Sequence, residues 1–505
     1  MTIKLRENQL RQLEFVKNKI KGRLPLAVEA PTGSGKSFVI LQFCKEYIEE
    51  HPGEDFTLVV TTGFNNLVYR LASDCELFGI KPIVWLGTGH TLCGIKYEKE
   101  HGYFPSIEEV QAFTPDEEYH PDYPDCFLTC HKAKDCLYNK AKQELKKFGP
   151  KVVVTNHSSY LLALKNGFFE PTVTVVDESH TFASFYENYL KVEVSAEEIK
   201  QVQDVLSEVK DPTFLLFKRA VEKGQKIHPN LFRQVKAKIE ESGVPNAKAV
   251  AEKLQEFAVD SASPDRYYSI TPRGMSVTKF WSKFDVRQED IPYVLFSATQ
   301  DEYTLDMFGV PRNRLYVDDS VLVDYSKSEF LVVNKEDFVE GFQAFLKETR
   351  AASLKKGLVL STTNKDVKSA LELGEVYGYE VTSDFKYFLK KEKDVVLVGS
   401  RAFFQGVDIP SVQFVGLNRI PFPTYDDKFR AHAEYLKEVA GIDPWKKFTV
   451  PKVKNDMIQV TGRLWRKPGD SGVVGVFDPR LLGRFKYMAD FVLNTRKGIK
   501  YRVIE

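Results

Sequence analysis

Ala30-Pro-Thr-Gly-Ser-Gly-Lys-Ser37 follows an apolar run, Leu26–Ala30, and opens a segment whose apolar residues recur at helical spacing. Strand, glycine-bearing loop and helix in that order make a phosphate cradle. Gly33 and Gly35 let backbone N–H groups curl round phosphate oxygens, and the helix turns the positive end of its dipole toward them. Lys36 is placed to reach the β- and γ-phosphates and Ser37 to ligand Mg²⁺, while Thr32 and Ser34 complete the loop. A chance glycine-rich turn would not carry this strand–loop–helix context. The stretch therefore predicts an α/β domain that holds ATP.

Downstream, Val173-Thr-Val-Val-Asp-Glu-Ser-His180 supplies the matching acidic half. Asp177, at the carboxyl end of an apolar strand, is expected to hold the Mg²⁺ water shell. Glu178 is expected to orient and deprotonate the attacking water, and His180 to link this site to a second domain. Acidic pairs are common on surfaces; an acidic pair after a buried strand and beyond a phosphate loop is not. Ser297-Ala-Thr299 closes a further apolar run, and Gln459-Val-Thr-Gly-Arg-Leu-Trp-Arg466 lies near the C-terminus. Arg463 and Arg466 are three apart, so on a helix their guanidinia share a face and can meet a γ-phosphate across a cleft.

Valine-rich runs predict strands at Leu26–Ala30, Thr57–Thr61, Lys151–Thr155, Val173–Asp177 and Tyr293–Ser297. A second series predicts Gly357–Ser361, Val395–Gly399, Gln413–Leu417 and Gly472–Phe477. Runs apolar throughout suit parallel strands buried on both faces, so two series imply two α/β domains. Two stretches break the rhythm. One, from about Leu86 to Asn139, is irregular. The other, from about Phe185 to Ser263, is helical: Ser195 with Glu198 forms a capping box, stapled by Val194 and Ile199, and Ala247, Val250, Leu254 and Phe257 share a helical face.

The chain has 505 residues, 43% apolar and 28% charged, with a formal net charge of +1. That is an ordinary globular composition in more than one domain. No apolar run approaches the roughly 18 residues of a membrane span and no secretory signal opens the chain, so a cytoplasmic protein is expected. Bulk charge is balanced, so any nucleic-acid path must be a local stripe.

Of six cysteines, Cys44 and Cys75 stand alone and are read as small buried hydrophobes. Cys93, Cys126, Cys130 and Cys136 are spaced C-x32-C-x3-C-x5-C. Four thiolates suit a [4Fe–4S] cluster or a tetrahedral zinc, and spacing does not choose between them; His131 is a neighbour able to substitute as a ligand. From Pro105 to Asp125 there are seven acidic residues and no Lys or Arg, whereas His131–Lys151 holds seven lysines against Asp135 and Glu144. The lysine half is the expected DNA-facing side, with Phe127 and Tyr138 as stacking rings; the plainer reading is a solvated helix face with core aromatics.

In their shared order these motifs resemble the XPD/DinG branch of superfamily 2 helicases, over Arg6 to about Arg480. Leu5-Arg-Glu-Asn-Gln9 looks like the family's R-x-x-Q, implying that Arg6 and Gln9 touch adenine. Glu29–Ser37 and Asp177–His180 are similar to its motifs I and II, and Thr155-Asn-His157 to the stretch before motif II. Gly399–Pro410 is similar to motif V, placing Gly406 and Asp408 near the nucleotide. Ile420-Pro-Phe-Pro423 resembles the turn that follows, and Gln459–Arg466 motif VI, with Gln459, Arg463 and Arg466 in the catalytic cleft. The approach to Cys93, Gly87-Thr-Gly-His-Thr-Leu-Cys93, departs from the family's G-R-x-N-Y-x-C.

The resemblance implies two RecA-like motor domains, with an iron–sulphur insert and a helical arch inserted in the first. The corresponding ranges are 1–85, 140–184 and 264–305 for motor domain 1, 86–139 for the [4Fe–4S] insert, 185–263 for the arch and 306–505 for motor domain 2. It further implies an ATP-dependent helicase moving 5′→3′ on single-stranded DNA and acting at duplex/single-strand junctions as a monomer. Thr62 and Gly63, and Ser361 with Thr362, are expected to contact DNA phosphates. Five residues precede Arg6, so the N-terminal nuclease of some relatives is not expected. Rival readings are a single-strand translocase or R-loop remodeller with little unwinding, a DNA-binding factor with a decayed motor, and a small-molecule kinase; the last leaves motifs V and VI unexplained.

Overall fold

The computed structural model describes residues 4–31, 33–87, 137–200, 212–225, 227–241, 245–258, 265–271, 273–281, 283–284, 291–320, 323–400, 412–465, 467 and 469–505. In chain order the described strands begin with β1 (Leu26–Glu29), β2 (Phe56–Thr62), β3 (Pro82–Trp85), β4 (Pro150–Asn156) and β5 (Val173–Asp177). Then come β6 (Lys191–Ser195), β7 (Arg266–Thr271), β8 (Gly274–Lys279), β9 (Tyr293–Ser297) and β10 (Leu315–Val317). The remainder are β11 (Glu329–Val333), β12 (Lys356–Ser361), β13 (Glu375–Val376), β14 (Tyr379–Thr382), β15 (Val395–Gly399), β16 (Phe414–Asn418), β17 (Val473–Phe477) and β18 (Lys500–Ile504).

One sheet runs β10-β1-β9-β5-β2-β4-β3 and a second β13-β14-β15-β12-β16-β17-β11-β18. Every pairing in the first is parallel, and in the second all but β13–β14. The unbroken apolar runs are explained by burial on both faces. In the second sheet Leu358, Leu360, Val395 and Leu397 belong to one core. Val359, Val396 and Val398, one step out of phase, belong to the other. Alternation sends successive side chains to opposite sides, so a strand with helices on both faces needs apolar residues at every position.

The chain separates into two units. The first comprises residues 1–182, 286–423 and 448–505 and contains both parallel sheets. The second comprises residues 183–285 and 424–447. Its core forms where β6–β8, an antiparallel three-stranded sheet, is covered by helices Pro212–Glu222, Pro229–Glu241 and Pro245–Phe257, through Phe217, Phe232, Leu254, Phe257 and Val277. Helix Asp427–Glu438 belongs to this unit as well: His432 stacks on Phe280 at 4.9 Å and 11°, and Lys428 pairs with Glu187.

The capping box is present, with Ser195 N–H donating to Glu198 Oε2 (2.8 Å) and Glu198 N–H to Ser195 Oγ (3.0 Å). Three boundaries differ from those expected. Residues 266–279 form the β7–β8 hairpin of the second unit instead of returning to the first sheet. This hairpin turns at Gly274, whose φ of 133° and approach to Val194 O leave no room for a Cβ. β10 pairs with β1, so the first α/β domain extends beyond residue 305. Residues 424–447 leave the second α/β domain for the other unit. The four clustered cysteines, and with them the iron–sulphur insert, lie outside the described residues. Among the described residues no helix is long and apolar enough to cross a membrane.

Candidate nucleotide site

In a parallel sheet the loops at the carboxyl ends of the strands form the ligand-binding edge. Strand order makes β1, β9 and β5 neighbours. It thereby brings Ala30–Ser37, Ser297–Asp301 and Asp177–His180 side by side, although about 120 to 150 residues separate them in sequence.

Gly33 and Gly35 take left-handed backbone, with φ of 77° and 81°, and the helix Lys36–Glu50 starts directly after. Lys36 is 7% exposed and its Nζ donates to Ala30 O at 3.2 Å, so the cation sits folded into the loop that would wrap phosphate. Helix Glu7–Ile20 braces this loop from behind. Arg6 Nη2 donates to Ser34 O (2.6 Å) and Gly33 O (3.2 Å), and Gln9 Nε2 to Ser34 O (3.1 Å) and Gly35 O (3.3 Å). The resemblance implied adenine contacts for this pair; the described geometry commits both side chains to the loop's carbonyls. Ser37 lies in the helix's first turn.

Asp177 ends β5, is 7% exposed, and its carboxyl is pushed up by burial first and by Glu178 next, with Lys36 pulling the other way. The buried Asp177 carboxylate and the Ser37 hydroxyl, both at the carboxyl edge of the same sheet, are the hard-oxygen donors that fit Mg²⁺. Glu178 has φ 52° and ψ 47°, an uncommon backbone for a non-glycine residue. Its Oε2 is buried with no hydrogen bond, 3.4 Å from His180 Nδ1. Among the described residues, His180 reaches Ser297 Oγ at 2.9 Å, within the first sheet, where a link to the second domain was expected. Burial holds its imidazole toward the neutral form. His157 on the far side is fully buried against Thr61 Oγ1 (2.9 Å) and pushed down to about 3, chiefly by burial.

Helix Val450–Thr461 of the second sheet domain carries Asn455 and Gln459, and Arg463 follows it. Asn455 and Gln459, four apart, share one face of the helix, and Arg463 lies in the turn just past its end. Arg463 is 7% exposed, and Gln459 Nε2 is buried without a hydrogen bond. With Ser34 Oγ, Thr299 Oγ1 and Glu178 Oε2 it adds to the buried polar atoms left unpaired around this edge. Buried polar groups rarely stay unpaired in a finished structure, so such a concentration points to a polar ligand. Thr32, Gly406, Asp408 and Arg466 lie outside the described residues.

Several expected contacts resolve differently. Ser361 is fully buried and its hydroxyl donates to Asp366 Oδ2 (3.0 Å), so it shapes a turn rather than facing DNA. Tyr138 packs 5.2 Å from Trp85, which favours the core-aromatic reading, and Lys151 is bound to Asp55 at 2.5 Å. Sequence reading missed Gln300 and Asp301. Gln300 receives Ser179 Oγ–H at 3.2 Å and donates its backbone N–H to Glu29 Oε2 at 2.7 Å; Asp301 receives Asn455 Nδ2–H at 2.8 Å. Their available signal was polarity directly after an apolar strand.

Comparison with known proteins agrees with this geometry. Residues 330–497 match the family model for the helicase C-terminal domain, and residues 2–215 that for the type III restriction enzyme res subunit. An ATP-dependent DNA helicase DinG of Photobacterium profundum is 36% identical over 22% of this chain and 18% of its own length. An ATP-dependent DNA helicase YoaA of Haemophilus influenzae is 30% identical over 26% and 20%. The matched segment thus spans about a fifth of either relative. A solved XPD helicase superposes with a TM-score of 0.64 at 14% identity, covering 100% of both chains, and Xpd4 of S. tokodaii with 0.61 at 15%, covering 99% and 100%. At that identity the likeness shows the fold: parallel α/β sheets like those of XPD's two RecA-like domains.

Proposed function

We propose that this chain, XPD/DinG-like in fold and motifs, is an ATP-dependent DNA helicase of superfamily 2. The observation that carries the reading is the gathering of Lys36, Asp177, Glu178 and Ser297 at one sheet edge, with helix Val450–Thr461, which bears Gln459 and leads to Arg463, hydrogen-bonded to that edge through Asp301. Lys36 leaves Ala30 O for the β- and γ-phosphates, and the loop N–H groups take phosphate oxygens. Ser37 and Asp177 would hold Mg²⁺, which would supply positive charge against the phosphates. Glu178 orients water and accepts its proton; Arg463 and Arg466 stabilise the charge that develops on the transferred group. Gly406 and Asp408 are assigned to the second domain's side of the nucleotide, and Arg6 and Gln9 hold the loop's shape through its carbonyls.

Movement along single-stranded DNA, with 5′→3′ polarity, and parting of duplexes at junctions complete the reading. A strand-displacement assay beside a DNA-stimulated ATPase assay tests it. ATP hydrolysis that DNA does not accelerate would remove the motor, and stimulated hydrolysis without displacement would reduce the protein to a translocase.

Cys93, Cys126, Cys130 and Cys136 are assigned to a [4Fe–4S] cluster on their place between the Thr62 and Thr155 motifs, where the resembled family carries its iron–sulphur insert. Anaerobically purified protein is expected to be brown, with about four irons per chain. Cys126→Ser should lose iron and duplex unwinding while fluorescent ATP analogues bind as before, because Lys36 belongs to the sheet. A colourless protein with one zinc per chain would replace the cluster and leave the motor reading intact.

A further inference from the structure

Asp301 has three partners. Its Oδ1 caps helix Glu302–Phe308 by accepting from Thr304 N (2.8 Å), and its Oδ2 accepts from Thr304 Oγ1 (2.9 Å) and from Asn455 Nδ2 (2.8 Å). The first two are local. The third reaches across 154 residues from the first parallel-sheet domain to the second. Asn455 is 7% exposed and the bond is part-buried, so breaking it strands an amide with little access to water.

The residues on either side give the bond its meaning. Next to Asp301, Gln300 donates through Nε2 to Val28 O (3.3 Å) and Leu295 O (3.4 Å), on β1 and β9. Its Oε1 receives Ser179 Oγ–H, and its N–H goes to Glu29 at the mouth of the phosphate loop. One dipeptide, Gln300-Asp301, therefore touches the strand before the phosphate loop, the turn after Glu178 and, through Asn455, the helix bearing Gln459 and leading to Arg463. Tyr303, two residues on, packs edge-to-face on Phe448 at 4.9 Å, a second cross-domain contact beside the first.

We propose that the Asp301–Asn455 hydrogen bond is a positioning contact that sets the distance of helix Val450–Thr461, which bears Gln459 and leads to Arg463, from the ATP held by the first domain. It rests on the ATPase reading above. Asp301 is bound to Asn455 and to Thr304, and the Asp301–Asn455 pair acts through Gln459 and Arg463. A guanidinium that stabilises transition-state charge loses most of its effect when misplaced by about an ångström. ATP capture by Lys36, by contrast, lies wholly within the first domain. The contact should therefore move kcat and leave ATP affinity alone.

The test is an exchange of the two side chains. N455D sets two carboxylates against each other and should lower DNA-stimulated kcat roughly tenfold or more, the size of coupling that contacting buried groups show. Affinity for a fluorescent ATP analogue should stay within about twofold, less than the 1.4 kcal/mol that a tenfold change represents. D301N/N455D restores the bond with donor and acceptor reversed, and the helix after position 301 keeps its cap because asparagine and aspartate cap about equally. The double variant should recover most of the lost kcat and the lost thermal midpoint together.

If N455D hydrolyses ATP at the parent rate, or the exchange restores the thermal midpoint without restoring kcat, the positioning role is wrong. An equal loss of ATP affinity in N455D would likewise overturn it, since that would mark a fold defect. A parent that hydrolyses no ATP overturns the ATPase reading and this proposal with it.

Discussion

Glu178→Gln is expected to keep ATP bound and to slow its hydrolysis by roughly two to four orders of magnitude, the span that a positioned general base contributes. The side chain is held for the task. Its backbone lies in the left-handed region, which costs a non-glycine residue about 1–3 kcal/mol and persists only where neighbours over-determine it. Here Glu178 O accepts from both Thr181 N and Thr181 Oγ1 at 2.9 Å, pinning the turn. The turn leaves Glu178 Oε2 3.4 Å from His180 Nδ1. Gln keeps the volume and the contact toward His180 but cannot accept a proton. Single-turnover hydrolysis beside analogue titration checks this: a rate within a few-fold of the parent would remove Glu178 as the base.

Both α/β domains were legible because their strands are apolar at every position, as Leu358–Leu360 and Val395–Val398 show. Two kinds of strand escaped notice: short apolar runs, Pro82–Trp85 and Glu329–Val333, which were not singled out, and strands in which charge interrupts the run. Lys500–Ile504 at the edge of the second sheet carries Lys and Arg, and Arg502 pairs with Glu329 at 2.9 Å, so an edge strand tolerates polarity that a central one does not. β7 contains Arg266, Tyr267 and Tyr268, half-buried residues whose pattern reads as loop until β8 is seen beside it. The phosphate loop and the acidic turn were readable because each is contiguous. Gln300 and Asp301 were not, since their partners at Glu29, Ser179 and Asn455 are brought close only by sheet order and domain packing. The transfer of residues 424–447 to the other unit is of the same kind: His432 and Phe280 meet 152 residues apart, and no local pattern announces it.

Gly35→Ala should weaken ATP binding roughly 100- to 1,000-fold, and the reason lies in helix Glu7–Ile20 as much as in the loop itself. A left-handed conformation costs an L-residue about 1–2 kcal/mol, and Gly35 has φ 81°. Added to that, a Cβ there would lie 2.3 Å from Gln9 Nε2 and 3.0 Å from Arg6 Nη2. Gln9 must then withdraw and lose its bonds to Ser34 O and Gly35 O, each worth about 0.5–1.5 kcal/mol. Together these come to about 2–5 kcal/mol, a range centred on the stated change in affinity. The two contributions separate in a double variant. Gln9→Ala alone forfeits the same two bonds, so Gln9→Ala/Gly35→Ala should bind about as weakly as Gly35→Ala and not as weakly as the sum. Titration with a fluorescent ATP analogue decides the point. Additive losses would mean that Gln9 does not brace the loop, and Gly35→Ala binding within about threefold of the parent would mean that the loop's curl is not what holds the phosphates.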